Sequence, residues 1–260
     1  MREKCMPEIP NERLTILCLN NDDIECLGDD ARGHEILSKT YEGLYLLNLN
    51  KYQNLSQLGL FTLDDTYLSR GNVLVLSPYN SLSYAEIGNA RDCFSIQKAD
   101  CFIEFCQKIG ASHVEMCDIK VRRIEMEDKI NLGGSNAVVE GQAEFERKKE
   151  ESLSLKIKRT LTLGKSKPDI QAAKKLLNYN NLMGDSVFRQ LYNLREHELL
   201  ENGTPITQYE QTITLVKEHE QSLDFALKLG IKNYSALSGG YSRARNETYE
   251  CESTIKVCFF

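Results

Sequence analysis

The stretch that decides the fold class is Tyr249-Glu-Cys-Glu-Ser-Thr-Ile-Lys-Val-Cys-Phe259. It places Tyr, Cys, Ser, Ile, Val and Phe on one face of an extended chain and mostly polar or charged residues on the other. A second stretch, Leu153-Ser-Leu-Lys-Ile-Lys-Arg-Thr-Leu-Thr-Leu163, closes a predicted strand over residues 137–163 and alternates in the same way apart from Arg159. Because successive residues of a β-strand point to opposite faces, both stretches predict long strands with one buried face.

A further strand is predicted over residues 113–132, although the parity of its apolar residues changes along the way. Val114 and Met116 share one parity, whereas Ile119 and Val121 share the other. A slip of one residue would turn the apolar side chains to the opposite face unless a bulge absorbs the extra residue. We therefore expect one long strand that is bulged or bent.

Helices are predicted on both sides of these strands. Ser83 can cap a long helix that ends near Gly110, since apolar residues recur there at three- to four-residue intervals. A helical block is expected over residues 168–200, opened by Asp169 and capped a second time by Asp185. The combined pattern predicts an α+β fold, with a mostly antiparallel, bent and twisted sheet whose long hairpins pack against helices.

The domain organisation follows from the same pattern. Residues 1–80 are predicted to form a small N-terminal α/β region and residues 81–260 an α+β domain, or the whole chain forms a single domain. Alternation over residues 206–216 predicts a strand, whereas residues 218–230 fit a helix or a strand equally well. Short strands within the N-terminal region are expected at residues 14–19, 43–49 and 72–76.

Composition narrows the classes of function. The net charge of −6 disfavours a nucleic-acid partner that would be held by a positive field. No apolar run approaches the ~18–20 residues that a membrane-spanning helix needs, and residues 1–8 lack the apolar region of a secretory signal. Nine cysteines without such a signal indicate free thiols in a reducing cytoplasm. We therefore expect a cytoplasmic protein.

Motifs for catalysis are missing from the chain: it has no Gly-rich phosphate loop, no Gly-x-Ser-x-Gly elbow and no Cys-x-x-Cys pair. The best candidates for a metal or nucleophile are Cys106, His113 and Cys117, with Cys101 nearby on the same predicted helix. His34 lies in an acidic loop that could serve acid–base chemistry or bind a divalent cation. Apolar spacing favours a structural role for the cysteines, so we expect no catalytic, cofactor or metal residues.

From residue 113 onwards the order of elements resembles the pore-forming domain of gasdermins and, more distantly, the perforin-like fold. Two long amphipathic strands precede a helical block, and a second pair of alternating segments follows. In those families such segments lengthen into membrane-inserted β-hairpins when the protein oligomerises. The resemblance implies self-association at an anionic membrane, relocation from the cytoplasm to the inner face of that membrane, and a role in bacterial defence.

The resemblance also implies roles for particular residues. A membrane strand needs ~9–11 alternating residues, because one face meets lipid and the other the pore lumen. The candidates for the lipid-facing side are Leu153, Leu155, Ile157, Leu161 and Leu163. Small bacterial gasdermins also resemble this chain in length and in having an early cysteine, which casts Cys5 as the lipidated position.

Two other readings stay open. Strands with one apolar face also occur in any antiparallel sheet covered by helices, which suits a soluble protein-binding or regulatory module that recruits a protein partner through a sheet edge or the N-terminal region. The further alternative is an enzyme that uses either the Cys106, His113 and Cys117 region or the acidic loop around His34.

Overall fold

The computed structural model of the protein describes residues 13–27, 33–34, 36–37, 43–64, 67–125, 148, 150–164, 167–200, 203–216, 219–228 and 247–260. In chain order the described elements are β1 (Thr15–Leu19), α1 (Asn21–Cys26), β2 (Leu44–Asn48), β3 (Phe61–Thr62), β4 (Val73–Leu76), β5 (Ser83–Glu86), α2 (Ala90–Lys108), β6 (Ala111–Glu125), α3 (150–157), β7 (Arg159–Thr162), α4 (Ile170–Tyr179), α5 (Ser186–Leu200), β8 (Gln208–Thr214), α6 (His219–Lys228) and β9 (Glu247–Phe259). Helices and two mostly antiparallel sheets make this an α+β fold, as the sequence predicts.

The chain divides into two compact units. The first comprises Met1–Phe94 and Lys217–Glu247, and the second comprises Ser95–Val216 and Thr248–Phe260. Each unit therefore combines two separate parts of the chain, and each contains one of the two sheets.

The sheet of the first unit has the strand order β2-β1-β4-β5-β3. Every residue of β1 and β4 is buried, and β1 pairs in parallel with β2 and antiparallel with β4. These central strands read Thr-Ile-Leu-Cys-Leu and Val-Leu-Val-Leu, the continuous apolar runs expected of strands covered on both faces. The short strands predicted at residues 14–19, 43–49 and 72–76 are thus confirmed.

The predicted start of the long helix at Ser83 is wrong. Residues Ser83–Glu86 form β5, which is buried between β4 and β3, and α2 begins only at Ala90. The apolar spacing of this region suits either structure, but Ile87 still donates its N–H to the Val73 carbonyl of the sheet. Tertiary pairing therefore overrides the local helical pattern. The helix does end where expected, because Gly110 has a φ of +79°, a conformation that favours glycine.

The sheet of the second unit has the order β7-β6-β9-β8. Its odd-numbered β9 residues from Cys251 to Phe259 are all buried, whereas the even-numbered residues from Glu250 to Cys258 are half-buried or exposed. The alternation predicted for this strand is therefore confirmed. Residues predicted at 206–216 form β8, and the ambiguous stretch at 218–230 contains a helix, α6.

A single strand, β6, covers most of the region predicted at 113–132, and its change of parity has a visible cause. Val114 and Met116 are buried, and the next apolar residues, Ile119 and Val121, are half-buried. Asp118 between them has a φ of +49°, in the left-handed region that marks a bulge with one extra residue. The expectation of one bulged strand is confirmed over residues 113–125, with the left-handed residue at Asp118, and residues 126–132 of the prediction lie outside the described residues.

The prediction of a strand over residues 137–163 is wrong for the residues that alternate most regularly. Residues 150–157 are helical, and only Arg159–Thr162 form a strand, β7, which pairs antiparallel with β6 from His113 to Met116. Residues 137–147 of the prediction lie outside the described residues. Within the described part of the chain, the long hairpin is thus reduced to a four-residue strand against a much longer neighbour.

The helices of the second unit begin at the predicted caps. The Asp169 side chain accepts a hydrogen bond from the Ala172 N–H at 2.8 Å, and Asp185 accepts from the N–H groups of Val187 and Phe188 at 2.8 and 3.2 Å. The buried face of α5 meets α2 in a cluster of three aromatic rings with centroids 5.3 to 6.4 Å apart, formed by Phe102, Phe105 and Phe188.

Candidate functional site

The candidate site is the segment from residue 150 to Leu163, in which the sequence pattern and the local structure disagree. Leu153 and Ile157 are 2% and 0% exposed, whereas Leu155 is 74% exposed. Residues four apart share one face of a helix, so α3 can bury Leu153 and Ile157 together but must turn Leu155 away. Of the five predicted lipid-facing residues, the structure therefore buries two, half-buries Leu161 and Leu163, and exposes one.

An open groove of about 590 Å³ lies between α3 and the far half of β6. Its apolar lining consists of Leu155 on the helix with Ile119 and Val121 on the strand. Lys120, Glu150 and Glu151 add charge. The alternation predicted the apolar character of Leu155, but the groove could not be foreseen, since it depends on residues 150–157 being helical.

Polar contacts of Lys158 and Arg159 lie at the junction between α3 and β7. The Lys158 N–H donates to the Ser154 carbonyl at 2.9 Å, which continues the helical pattern up to the start of β7. The Arg159 guanidinium donates to the Lys156 and Lys158 carbonyls and reaches Asp100 at 3.4 Å. Arg159 and Asp100 are 36% and 58% exposed, so this ion pair is screened by solvent and contributes little, about 0–1 kcal/mol.

The far half of β6 extends beyond its partner β7. The described pairing ends at Met116 opposite Arg159, while β6 continues to Glu125. Extending the pairing beyond the bulge at Asp118 places one extra β6 residue against β7, so that Ile119 would oppose Ile157 and Val121 would oppose Leu155. The bulge thus aligns the apolar residues of the two segments, as Val114 and Leu161 are already aligned before it.

The structure gives no support to a thiolate site among the cysteines and His113. Burial raises the pKa of the Cys106 thiol well above its ordinary value. Burial, followed by Glu104 and Asp100, raises the pKa of Cys101 to about 12. Cys117 lies on β6, where burial and then Asp118 and Glu115 raise its pKa. A catalytic cysteine needs the opposite shift, because the thiolate is the nucleophile.

The other predicted site residues have separate local partners or surroundings. His113 Nδ1 is 3.3 Å from Thr162 Oγ1 on β7, and His34 is exposed. Asp23, which belongs to the acidic stretch near His34 in the sequence, is held by Arg70. Cys5 lies outside the described residues.

The described ranges contain neither a metal-binding cluster nor a membrane-spanning helix. No group of three or more His, Cys, Asp and Glu side chains there could hold a metal ion. None of the helices in this part of the chain combines the length and the apolar character required to cross a membrane.

No known protein family matches the chain, and neither a curated protein nor a solved structure shows significant similarity to it.

Proposed function

We propose that this is a non-enzymatic protein that self-assembles and permeabilises membranes, with residues 150–157 converting from helix to strand as it does so. The observation that carries the proposal is the exposure of Leu155 in a helix whose apolar residues follow the period of a strand. A local sequence that contradicts its own secondary structure marks a strained or functional segment more often than a passive one.

The converted segment would pair with β6. Strand pairing of residues 150–158 with the far half of β6 would place Leu155 opposite Val121 and Ile157 opposite Ile119. Residues from Leu153 to Leu163 would then supply eleven positions that alternate except at Arg159, which suits the ~9–11 residues of a membrane strand. Ser154, Lys156, Lys158, Thr160 and Thr162 would line the polar side.

The membrane provides the driving force in this proposal. Moving Leu155 from water into lipid contributes about 1.5–3 kcal/mol, and each protomer of an assembly would contribute its own copy. Lys156 and Lys158 are exposed and close to the same segment, so they can attract anionic headgroups. The gasdermin-like reading further assigns the inner face of the membrane as the site of action, with Cys5 as a lipid anchor and bacterial defence as the context.

Dye release from anionic liposomes tests this function. We expect the parent protein to release the dye, before or after limited proteolysis. Leu155→Glu should reduce release at least ~10-fold, because a carboxylate that replaces an apolar side chain on the lipid face is destabilising. Ser154→Glu adds the same charge one position away, on the polar side, and should release dye as the parent does. A parent protein that releases no dye under either condition, or a Ser154→Glu variant as inactive as Leu155→Glu, would remove the proposal.

A soluble protein-binding module is the second candidate, favoured by the exposed outer edge of β8. A module of this kind would bind its partner without releasing dye, and Leu155→Glu would leave binding unchanged. The Cys/His enzyme is the weakest candidate, because burial opposes formation of the Cys106 thiolate. A Cys106→Ala variant that retains full dye release would eliminate it.

A further inference from the structure

β8 is the longest edge strand in the described part of the chain. β8 has seven residues, compared with four in β7, five in β2 and two in β3. Its neighbour on one side is β9, and no described strand lies on the other. Native proteins usually protect such edges with proline, bulges or several charges, because open backbone groups recruit another strand. β8 has only one charged residue, Glu210.

The pairing with β9 shows which backbone groups point outwards. Phe259 donates its N–H to the Thr207 carbonyl at 3.0 Å, and Leu215 donates to the Cys251 carbonyl at 2.8 Å. The register between the two strands is unbroken from Gln208 to Thr214. Because hydrogen-bonding residues alternate along an antiparallel strand, the odd-numbered residues of β8 face β9. The N–H and C=O groups of the even-numbered residues therefore point to the open edge.

The side chains of β8 allow it to pair with a second copy of itself. Antiparallel pairing about Gln211 joins the outward groups of Gln208 with those of Thr214 and the outward groups of Glu210 with those of Thr212. It also places buried Tyr209 opposite buried Ile213 of the other copy, an aromatic and β-branched pair on one face. The pairing is thus complete over all seven residues.

Repulsion between like charges disfavours the nearest alternative register, which is centred on Glu210. Pairing about Glu210 would also use the outward groups, but it would put the two Glu210 carboxylates directly opposite each other, which is destabilising. Pairing about Gln211 separates them to diagonal positions and lets the two Gln211 amides meet at the symmetry axis. Pairing about Thr212 shortens the overlap, because Gln208 then has no partner within the strand.

We infer that two copies of this chain associate through β8, in an antiparallel pair centred on Gln211 that joins their four-stranded sheets into one. The inference goes beyond the proposed function and does not depend on membrane insertion. A contact of this type is two-fold symmetric and closes after two copies, whereas a ring needs a head-to-tail contact. The β8 dimer is therefore a state in solution that is distinct from any pore.

The test uses the full chain without lipid. Sedimentation velocity from ~1 to ~100 μM should show a concentration-dependent dimer. Thr212→Pro removes an outward N–H and leaves the β9 ladder intact, so it should abolish the dimer, whereas Thr212→Val keeps the N–H and should dimerise as the parent does.

Cysteine cross-linking tests the register. Gln211→Cys brings two cysteines to a pair with Cα atoms about 4.5 Å apart, within disulfide range, so oxidation should link it far more than the parent. Glu210→Cys places them diagonally, about 7–8 Å apart, and should link no more than the parent. A monomer throughout the concentration range, or equal linking of both variants, would overturn the inference. Dye release without a dimer would contradict the inference alone, and a dimer without dye release would contradict the pore alone.

Discussion

Leu153 and Leu155 lie two positions apart on the same helix, and 2% of one side chain is exposed compared with 74% of the other. Their spacing suits a strand, in which both would share a face, and the helix separates them. The segment therefore has a second conformation in which its apolar residues are better grouped. The proposed function depends on that difference.

Truncation to alanine should destabilise the protein at Leu153 but have almost no effect at Leu155. Leu153→Ala leaves a cavity in a packed site and should lower the free energy of unfolding by about 2–4 kcal/mol. Leu155→Ala removes a solvent-exposed side chain and should change it by less than about 0.5 kcal/mol. Urea denaturation measures both. Equal destabilisation by the two variants would show that Leu155 is packed in solution and would contradict the helical description of the segment.

The bulge at Asp118 should be tolerant of glycine and intolerant of β-branched residues. A φ of +49° costs a β-branched side chain about 1–2 kcal/mol, so Asp118→Val should destabilise the protein by that amount. Asp118→Gly should be within about 0.5 kcal/mol of the parent, because glycine adopts this conformation freely but loses more entropy on folding. Lys120→Val is the matched control on the same strand; a loss there as large as at Asp118 would show that the cost does not come from the bulge.

Lys98 should be essential for the stability of the second unit. Its buried Nζ donates to Asp185 Oδ2 and to the Thr214 carbonyl, both at 2.8 Å. Lys98→Met would leave the Asp185 carboxylate without this charge partner and should cost about 3–5 kcal/mol. Lys175→Met on the exposed face of α4 should stay within about 0.5 kcal/mol. Thermal unfolding compares them, and a mild Lys98→Met would mean that water replaces the buried cation.

The ion pair between Asp23 and Arg70 should make the free energy of unfolding depend on pH in the acidic range. Burial of the Asp23 carboxyl opposes its ionisation, but hydrogen bonds from Arg70 and the Asn20 N–H outweigh burial and lower its pKa below the ordinary 3.8. A lowered pKa contributes stability above 3.8 that is lost as the pH falls through the folded value.

Arg70→Met should therefore destabilise the protein only slightly at pH 7, since Arg70 is 56% exposed and its charge is screened. The difference from the parent should shrink as the pH falls below 3.8 and also in high salt. Urea titrations from pH 2.5 to 7 measure this, and a difference that does not depend on pH would mean that Arg70 contributes only packing.

The sequence predicted the fold where local pattern and tertiary pairing agree. The strands β1, β4 and β9 have apolar patterns that fit their burial, and Asp169 and Asp185 act as the expected caps. The parity change in β6 even located its bulge near Asp118. These features depend on the geometry of single elements, which is written in the local sequence.

The predictions for Ser83–Glu86 and for residues 150–157 are wrong for the same reason. In both segments, packing against other elements outweighs the local sequence pattern. Ser83–Glu86 fits a helix by spacing, but the sheet of the first unit offers it partners on both sides. Residues 150–157 fit a strand by alternation, yet Leu153 and Ile157 pack as a helical pair. The groove beside Leu155 follows from the helix at residues 150–157, and the edge position of β8 follows from the strand order β7-β6-β9-β8, so single-sequence patterns could not predict them.

The proposed change of residues 150–157 from helix to strand at the membrane can be measured as a single distance. Nitroxide-bearing non-natural residues at positions 151 and 158 would be separated by a rise of about 10 Å in a helix and about 23 Å in a strand. Pulsed electron–electron double resonance should record the short distance between the two nitroxides in solution. It should record the long distance on anionic liposomes under conditions of dye release. The short distance in both states would contradict the claim.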